Sequence, residues 1–90
     1  MAAPKNAFKA ALAEGRFQLG LWAALGSAYA TEILSTSGYD WLLIDGEHGP
    51  NDMPLMSAQV GALRHSPTHA MVRPPMGEAW ILKQLLDQGA

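Results

Sequence analysis

Asp45-Gly46-Glu47-His48 and, further along the chain, Arg73 are the residues whose types suit chemistry. A histidine moves protons near neutral pH. An arginine holds a carboxylate or stabilises an oxyanion. An acid, a histidine and an arginine brought together suit proton transfer on a small anionic substrate, at a carbonyl. Each residue also has a plainer reading. His48 can be a loop histidine bonded to backbone, and Asp45 a turn former ahead of Gly46. Arg73 can simply pair with Asp45 or Glu47, and Trp22 can be a core residue. Glu47 and His48 are adjacent, so in an extended chain they point to opposite faces and are not expected to share a metal ion. His65 and His69 are expected at the other end of the structural units, in structural or exposed roles. The chain has no GxGxxG, no P-loop and no GxSxG elbow. It has no cysteine, hence no disulfide and no thiolate metal site.

The elements that must position these residues alternate. Lys5 to Glu14 reads as a helix stopped by Gly15, and Phe17 to Trp22 as a strand. Ser27 is a candidate N-cap for a helix over Ala28 to Ser37, which Gly38 ends. Tyr39 to Ile44 is a near-continuous apolar run, as in a strand buried on both faces. Pro54 fits the first turn of a helix whose core face carries Met56, Val60 and Leu63. His69 to Val72 reads as a third strand. Glu78 to Gln88 reads as a last helix, with Ile81, Leu82, Leu85 and Leu86 as its apolar stripe. One helix followed by three strand–helix pairs implies an α/β fold with a parallel sheet ordered 1-2-3. Strand starts recur about every 23 to 30 residues, close to the roughly 30 per unit of a (β/α)8 barrel. In such folds the active site lies at the C-terminal ends of the strands. Trp22, Asp45 to His48 and Arg73 all fall there.

Ninety residues make one domain at most, and a barrel needs about 250. Three units left open would expose apolar strand edges. Residues 1–90 are therefore expected to be the N-terminal portion of a single, incomplete barrel domain. Six Lys plus Arg against eight Asp plus Glu give a formal charge of -2, which argues against a nucleic-acid partner. No apolar run reaches the ~18 residues of a membrane span, and the N-terminus lacks the apolar core of a secretory signal. A cytoplasmic location is the expectation.

Five stretches together resemble one family. They are Phe8 to Leu12, Gly20-Leu21-Trp22, Tyr39 to His48, Val72-Arg73-Pro74 and Ile81 to Asp87. In register, they resemble the HpcH/HpaI aldolases. The resemblance implies a (β/α)8 barrel, usually oligomeric. It implies class II, metal-dependent cleavage of a 4-hydroxy-2-oxo acid to pyruvate and an aldehyde. A 2-keto-3-deoxy sugar acid is an alternative substrate, and a truncated, non-catalytic chain a third reading. By the same resemblance His48 is the general base and Arg73 stabilises the pyruvate enolate. Asp87 raises the basicity of the histidine, while Trp22, Asp45 and Glu47 contact substrate or support the site. Asp87 ends a helix that runs against the strands, so it would reach a histidine only across a subunit interface. Asp45 is the competitor within the chain. The family's two metal ligands, a Glu and an Asp, belong to later strands. The divalent ion (Mg, Mn, Co or Zn) would thus be held by residues beyond Ala90, with none from this chain. The 90-residue chain alone is accordingly expected to be inactive.

Overall fold

A computed structural model describes residues 3–90. Three of the four helices described start where a short polar side chain caps them. Asn6, Ser27 and Asp52 each accept a hydrogen bond from the backbone N–H three residues on. These caps open α1 (Ala7–Ala13), α2 (Ala28–Leu34) and α3 (Met53–Ala62). α4 (Ala79–Gln88) ends on Gly89, whose φ of 110° lies in the left-handed region that glycine enters without strain. Between the helices run β1 (Gly20–Ala23), β2 (Trp41–Asp45) and β3 (His69–Arg73).

The strands form one parallel sheet in the order β1-β2-β3. Strand–helix alternation and parallel order agree with the sequence. Some boundaries and one helix face do not. β1 starts at Gly20, not Phe17, because its partner begins at Trp41. Ahead of it, Asp40 catches Leu19 instead: the Leu19 N–H donates to Oδ2 at 2.8 Å and the Asp40 N–H to the Leu19 carbonyl at 2.7 Å. α2 stops at Leu34, where the Ser35 and Thr36 hydroxyls donate back to the carbonyls of Glu32 and Ile33. The apolar stripe expected on α4 is split. Ile81 and Leu85 are buried, whereas Leu82 and Leu86 are exposed.

The two faces of the sheet differ. Ala23, Leu42 and Ile44 point to the helical side and are buried. Ile44 and Ala23 pack there with Met56 and Val60 of α3 and with Ile81 and Leu85 of α4. Trp22, Trp41, Leu43 and Met71 alternate with them onto the other face and keep some exposure. β2 is thus covered fully on one face only, since no second layer lies over the other among the described residues. Asp45 and Arg73 share the parity of Leu43 and Met71. The open face therefore ends, at its C-terminal rim, in the polar residues that matter next.

Candidate active site

β2 delivers Asp45 to that rim, and the register sets Arg73 of β3 directly opposite it. The pair forms a fork. Arg73 Nε donates to Asp45 Oδ1 at 3.0 Å and Nη2 to Oδ2 at 2.7 Å. From β1, the Trp22 indole Nε1–H reaches Asp45 Oδ2 at 3.1 Å. The turn that follows folds back onto the same carboxylate. The N–H groups of Glu47 and His48 donate to Oδ1 at 3.0 and 3.1 Å. Asp45 is 2% exposed, yet five donors meet its two oxygens. The Arg73 guanidinium, above all, holds the carboxyl well below the usual carboxylate range; burial opposes this, and the His48, Trp22 and Glu47 N–H groups add to it. Asp45 in turn raises the Arg73 pKa.

Arg73 is further placed by its neighbours. Its guanidinium carbon lies 5.4 Å from the Trp22 ring centroid, within cation–π range. Glu47 Oε2 is 3.4 Å from Nε. Nη1 makes no hydrogen bond among the described residues, and the Arg73 side chain keeps 35% of its surface accessible. His48 is the most exposed member, with 73% of its side chain accessible, and its Nε2 is 3.5 Å from Glu47 Oε1. The chain turns between these two residues, so the opposite-face arrangement of an extended strand does not apply. Trp22 is half exposed at the rim, not a core residue.

The arrangement offers a partly exposed guanidinium beside a solvent-facing imidazole; the guanidinium is bonded directly to the buried carboxylate, and the histidine through its backbone N–H. It can bind a small anion and move a proton next to it. Residues 18–90 match the family described as HpcH/HpaI aldolase/citrate lyase. The chain belongs to that family.

This member is similar to the hydroxypyruvate/pyruvate aldolase of Roseovarius nubinhibens, with 58% identity over 90 residues covering 100% of this chain and 35% of the relative. It is 51% identical to the 4-hydroxy-2-oxo-heptane-1,7-dioate aldolase of Klebsiella pneumoniae, over 94% of this chain and 32% of that one. Its fold matches the crystal structure of an HpcH/Hpal aldolase/citrate lyase family protein from Burkholderia cenocepacia J2315. The TM-score is 0.86 at 45% identity, over 96% of this chain and 35% of that chain. The chain thus spans about a third of the length of these relatives.

Within this aldolase-family chain, Asp87 stands apart from the cluster. It is exposed near the end of α4. The neighbouring Gln88 and Gly89 line a cleft with His69, the first residue of β3. Asp87 therefore lies towards the N-terminal ends of the strands, away from His48. His65 also lies away from the rim, in a cleft between the C-terminal ends of α2 and α3 with Asp40. The residues present do not make a metal site. No group of three or more His, Asp or Glu able to hold an ion occurs among the described residues. Asp45, the best-placed carboxylate, already has both oxygens occupied by donors.

Two functional neighbours escape a reading by residue type. Asn51 Nδ2 donates to the Asp45 carbonyl at 2.8 Å, and Gln59 Nε2 donates to Asn51 Oδ1 at 2.6 Å. The one available signal was Gln59 itself, an amide inside the Met56–Val60–Leu63 face of α3. Gly46 is also constrained. A Cβ there would stand 2.5 Å from Met56 Sδ and 2.9 Å from the Arg73 carbonyl oxygen, which accepts the Gly46 N–H at 2.8 Å. The methionine can move, but the backbone cannot without parting β2 from β3. Gly46→Ala is expected to cost about 1–3 kcal/mol, the usual range for overpacking. Denaturant unfolding of the variant, read by tryptophan fluorescence, measures it.

Proposed function

We propose that this chain is the N-terminal portion of a (β/α)8 pyruvate aldolase that cleaves a 4-hydroxy-2-oxo acid to pyruvate and an aldehyde. The observation that carries the reading is the meeting of His48 and Arg73 on Asp45 at the C-terminal rim of the sheet. The substrate's 2-oxo acid end lies against the accessible part of Arg73. His48 takes the C4 hydroxyl proton, the C3–C4 bond breaks, and the aldehyde leaves. The electron pair becomes the pyruvate enolate, whose oxygen the guanidinium stabilises. Protonation at C3 gives pyruvate. A divalent ion belongs to the proposal as well, with carboxylate ligands outside these residues. So do a homo-oligomer and a role for Asp87 towards a neighbouring subunit's histidine, since Asp87 lies far from the histidine of its own chain.

The names of the relatives favour a second nucleophile. Several are called hydroxypyruvate/pyruvate aldolase, so hydroxypyruvate is proposed as an alternative to pyruvate in the reverse, carbon–carbon-forming direction. The test is an assay of the barrel-length protein that carries these residues, with a divalent salt present. Pyruvate release from 4-hydroxy-2-oxo acids, coupled to its reduction to lactate, is the expected result. Adducts formed from hydroxypyruvate plus an aldehyde would support the second nucleophile. Absence of both reactions across a panel of aldehydes overturns the reading.

A further inference from the structure

A buried chain of side-chain amides runs from the helix layer to the catalytic turn. It starts at Thr31 of α2, 2% exposed, whose hydroxyl donates to Gln59 Oε1 at 2.9 Å. Gln59 of α3 is 1% exposed. Its Nε2 donates both to the Leu55 carbonyl at 3.2 Å and to Asn51 Oδ1 at 2.6 Å. Asn51 Nδ2 then donates to the carbonyl of Asp45. The direction of the chain is over-determined. The carbonyls of Leu55 and Asp45 can only accept, so the amide nitrogen of Gln59 must face one and that of Asn51 the other. Flipping either amide would set donor against donor or acceptor against acceptor.

Asp45 is thereby gripped from both sides. Its carboxylate holds the N–H groups of Glu47 and His48 and the fork of Arg73. Its carbonyl is held from behind by Asn51. Gly49 closes the turn so tightly that a Cβ there would run into the Asp45 carbonyl and stand 2.9 Å from Asn51 Nδ2. The backbone from 45 to 51 has little freedom left once Asn51 is fixed, and Gln59 is what fixes Asn51.

Resting on the aldolase reading above, we propose that Gln59, acting through Asn51, is a positioning residue that sets His48 against Arg73 and ties that placement to the packing of α2 on α3. Gln59 touches neither substrate nor either reacting side chain. A buried amide satisfied on both sides costs little, whereas a break in the chain leaves a buried donor or acceptor without a partner. The turn then relaxes, and His48, the exposed member, loses its place first. Arg73 keeps its carboxylate fork and its strand.

The experiment compares Gln59→Met, Asn51→Ala, Thr31→Ser and Thr31→Val in the barrel-length protein. Two activities are read: cleavage of a 4-hydroxy-2-oxo acid and decarboxylation of oxaloacetate. Both pass through the pyruvate enolate, but only cleavage needs a hydroxyl proton removed. Gln59→Met and Asn51→Ala are expected to lower cleavage kcat on the order of 10–10²-fold, the scale of a misplacement of about 1 Å. Decarboxylation should stay within about threefold, and KM should move little. Thr31→Ser, which keeps the hydroxyl, should retain cleavage, and Thr31→Val should lose part of it. Hydrogen exchange of the Glu47 and His48 amides should speed up in Gln59→Met while the β2 amides stay protected. Asn51→Ala stands in if Gln59→Met does not fold, since it removes no helical residue. Equal losses of both activities, or unchanged exchange at 47 and 48, overturn the positioning role. A wild-type protein with neither activity, but with the exchange pattern intact, overturns the aldolase reading and leaves the positioning of the turn standing.

Discussion

On the proposed aldolase reading, His48→Ala in the barrel-length protein is expected to lower kcat for cleavage by about 10²–10⁴-fold, the scale for loss of a positioned acid–base group. Decarboxylation of oxaloacetate should fall far less, because that substrate has no C4 hydroxyl proton to remove. Arg73→Ala should depress both reactions, since in the proposed mechanism both develop charge on an enolate oxygen placed against the guanidinium. Arg73→Lys should restore neither fully. An ammonium cannot reproduce the fork that meets both oxygens of Asp45 while leaving Nη1 for substrate. The ratio of the two activities in each variant decides the matter. Equal factors in His48→Ala and Arg73→Ala would mean that the two residues do not have separate roles. The geometry makes separation reasonable: His48 meets Asp45 by its backbone N–H and only its exposed ring reaches Glu47, whereas Arg73 is bound to Asp45 through its guanidinium.

The parallel sheet was legible because β2 is short, apolar and bounded by turn residues, and because each strand is followed by a helix, the first two opened by a capping side chain. The rim residues were legible for a related reason. In a parallel sheet every strand ends on the same side, so the last polar residue of each converges with the others without any knowledge of packing. What could not be read was which partner each side chain takes. Arg73 had two carboxylates in reach by sequence and pairs with both, at 2.7 Å to Asp45 and 3.4 Å to Glu47. His48 and Glu47 were expected on opposite faces; a turn, which has no two-residue period, sets them side by side. The Asn51–Gln59 link spans a loop and two helical turns, and amides give no pattern of charge or hydropathy by which such a link is found. The α4 stripe misleads for another reason. Leu82 and Leu86 satisfy helical spacing, yet among the described residues only Ile81 and Leu85 of α4 reach the cluster of Ala23, Ile44, Met56 and Val60.

Replacing Asp45 is expected to damage both reactions together, which sets it apart from His48. Asp45→Ala removes the acceptor of five hydrogen bonds at once. Arg73 then loses its anchor beside the Trp22 ring, and the Glu47 and His48 N–H groups lose the oxygen that folds the turn. Losses on the order of 10²–10³ in both cleavage and decarboxylation are the expected result, comparable to removal of an oxyanion-stabilising donor. Asp45→Asn separates charge from shape. Its amide oxygen can still accept from the turn, but its amide nitrogen meets the donors of Arg73 or Trp22, so the fork opens. The pH dependence has a definite sign. The Asp45 carboxyl titrates well below the ~3.9 of an unfolded aspartate, so over that interval the unfolded chain binds more protons than the folded one. The carboxylate's contribution to stability is complete above about pH 4 and is lost as the pH falls towards its folded pKa. Acid unfolding followed from pH 5 to pH 2 should therefore be steeper for wild type than for Asp45→Asn, which has no such proton to take up. Parallel curves would mean that the carboxylate is not held by this cluster. Loss of cleavage with decarboxylation intact would mean that Asp45 serves His48 alone.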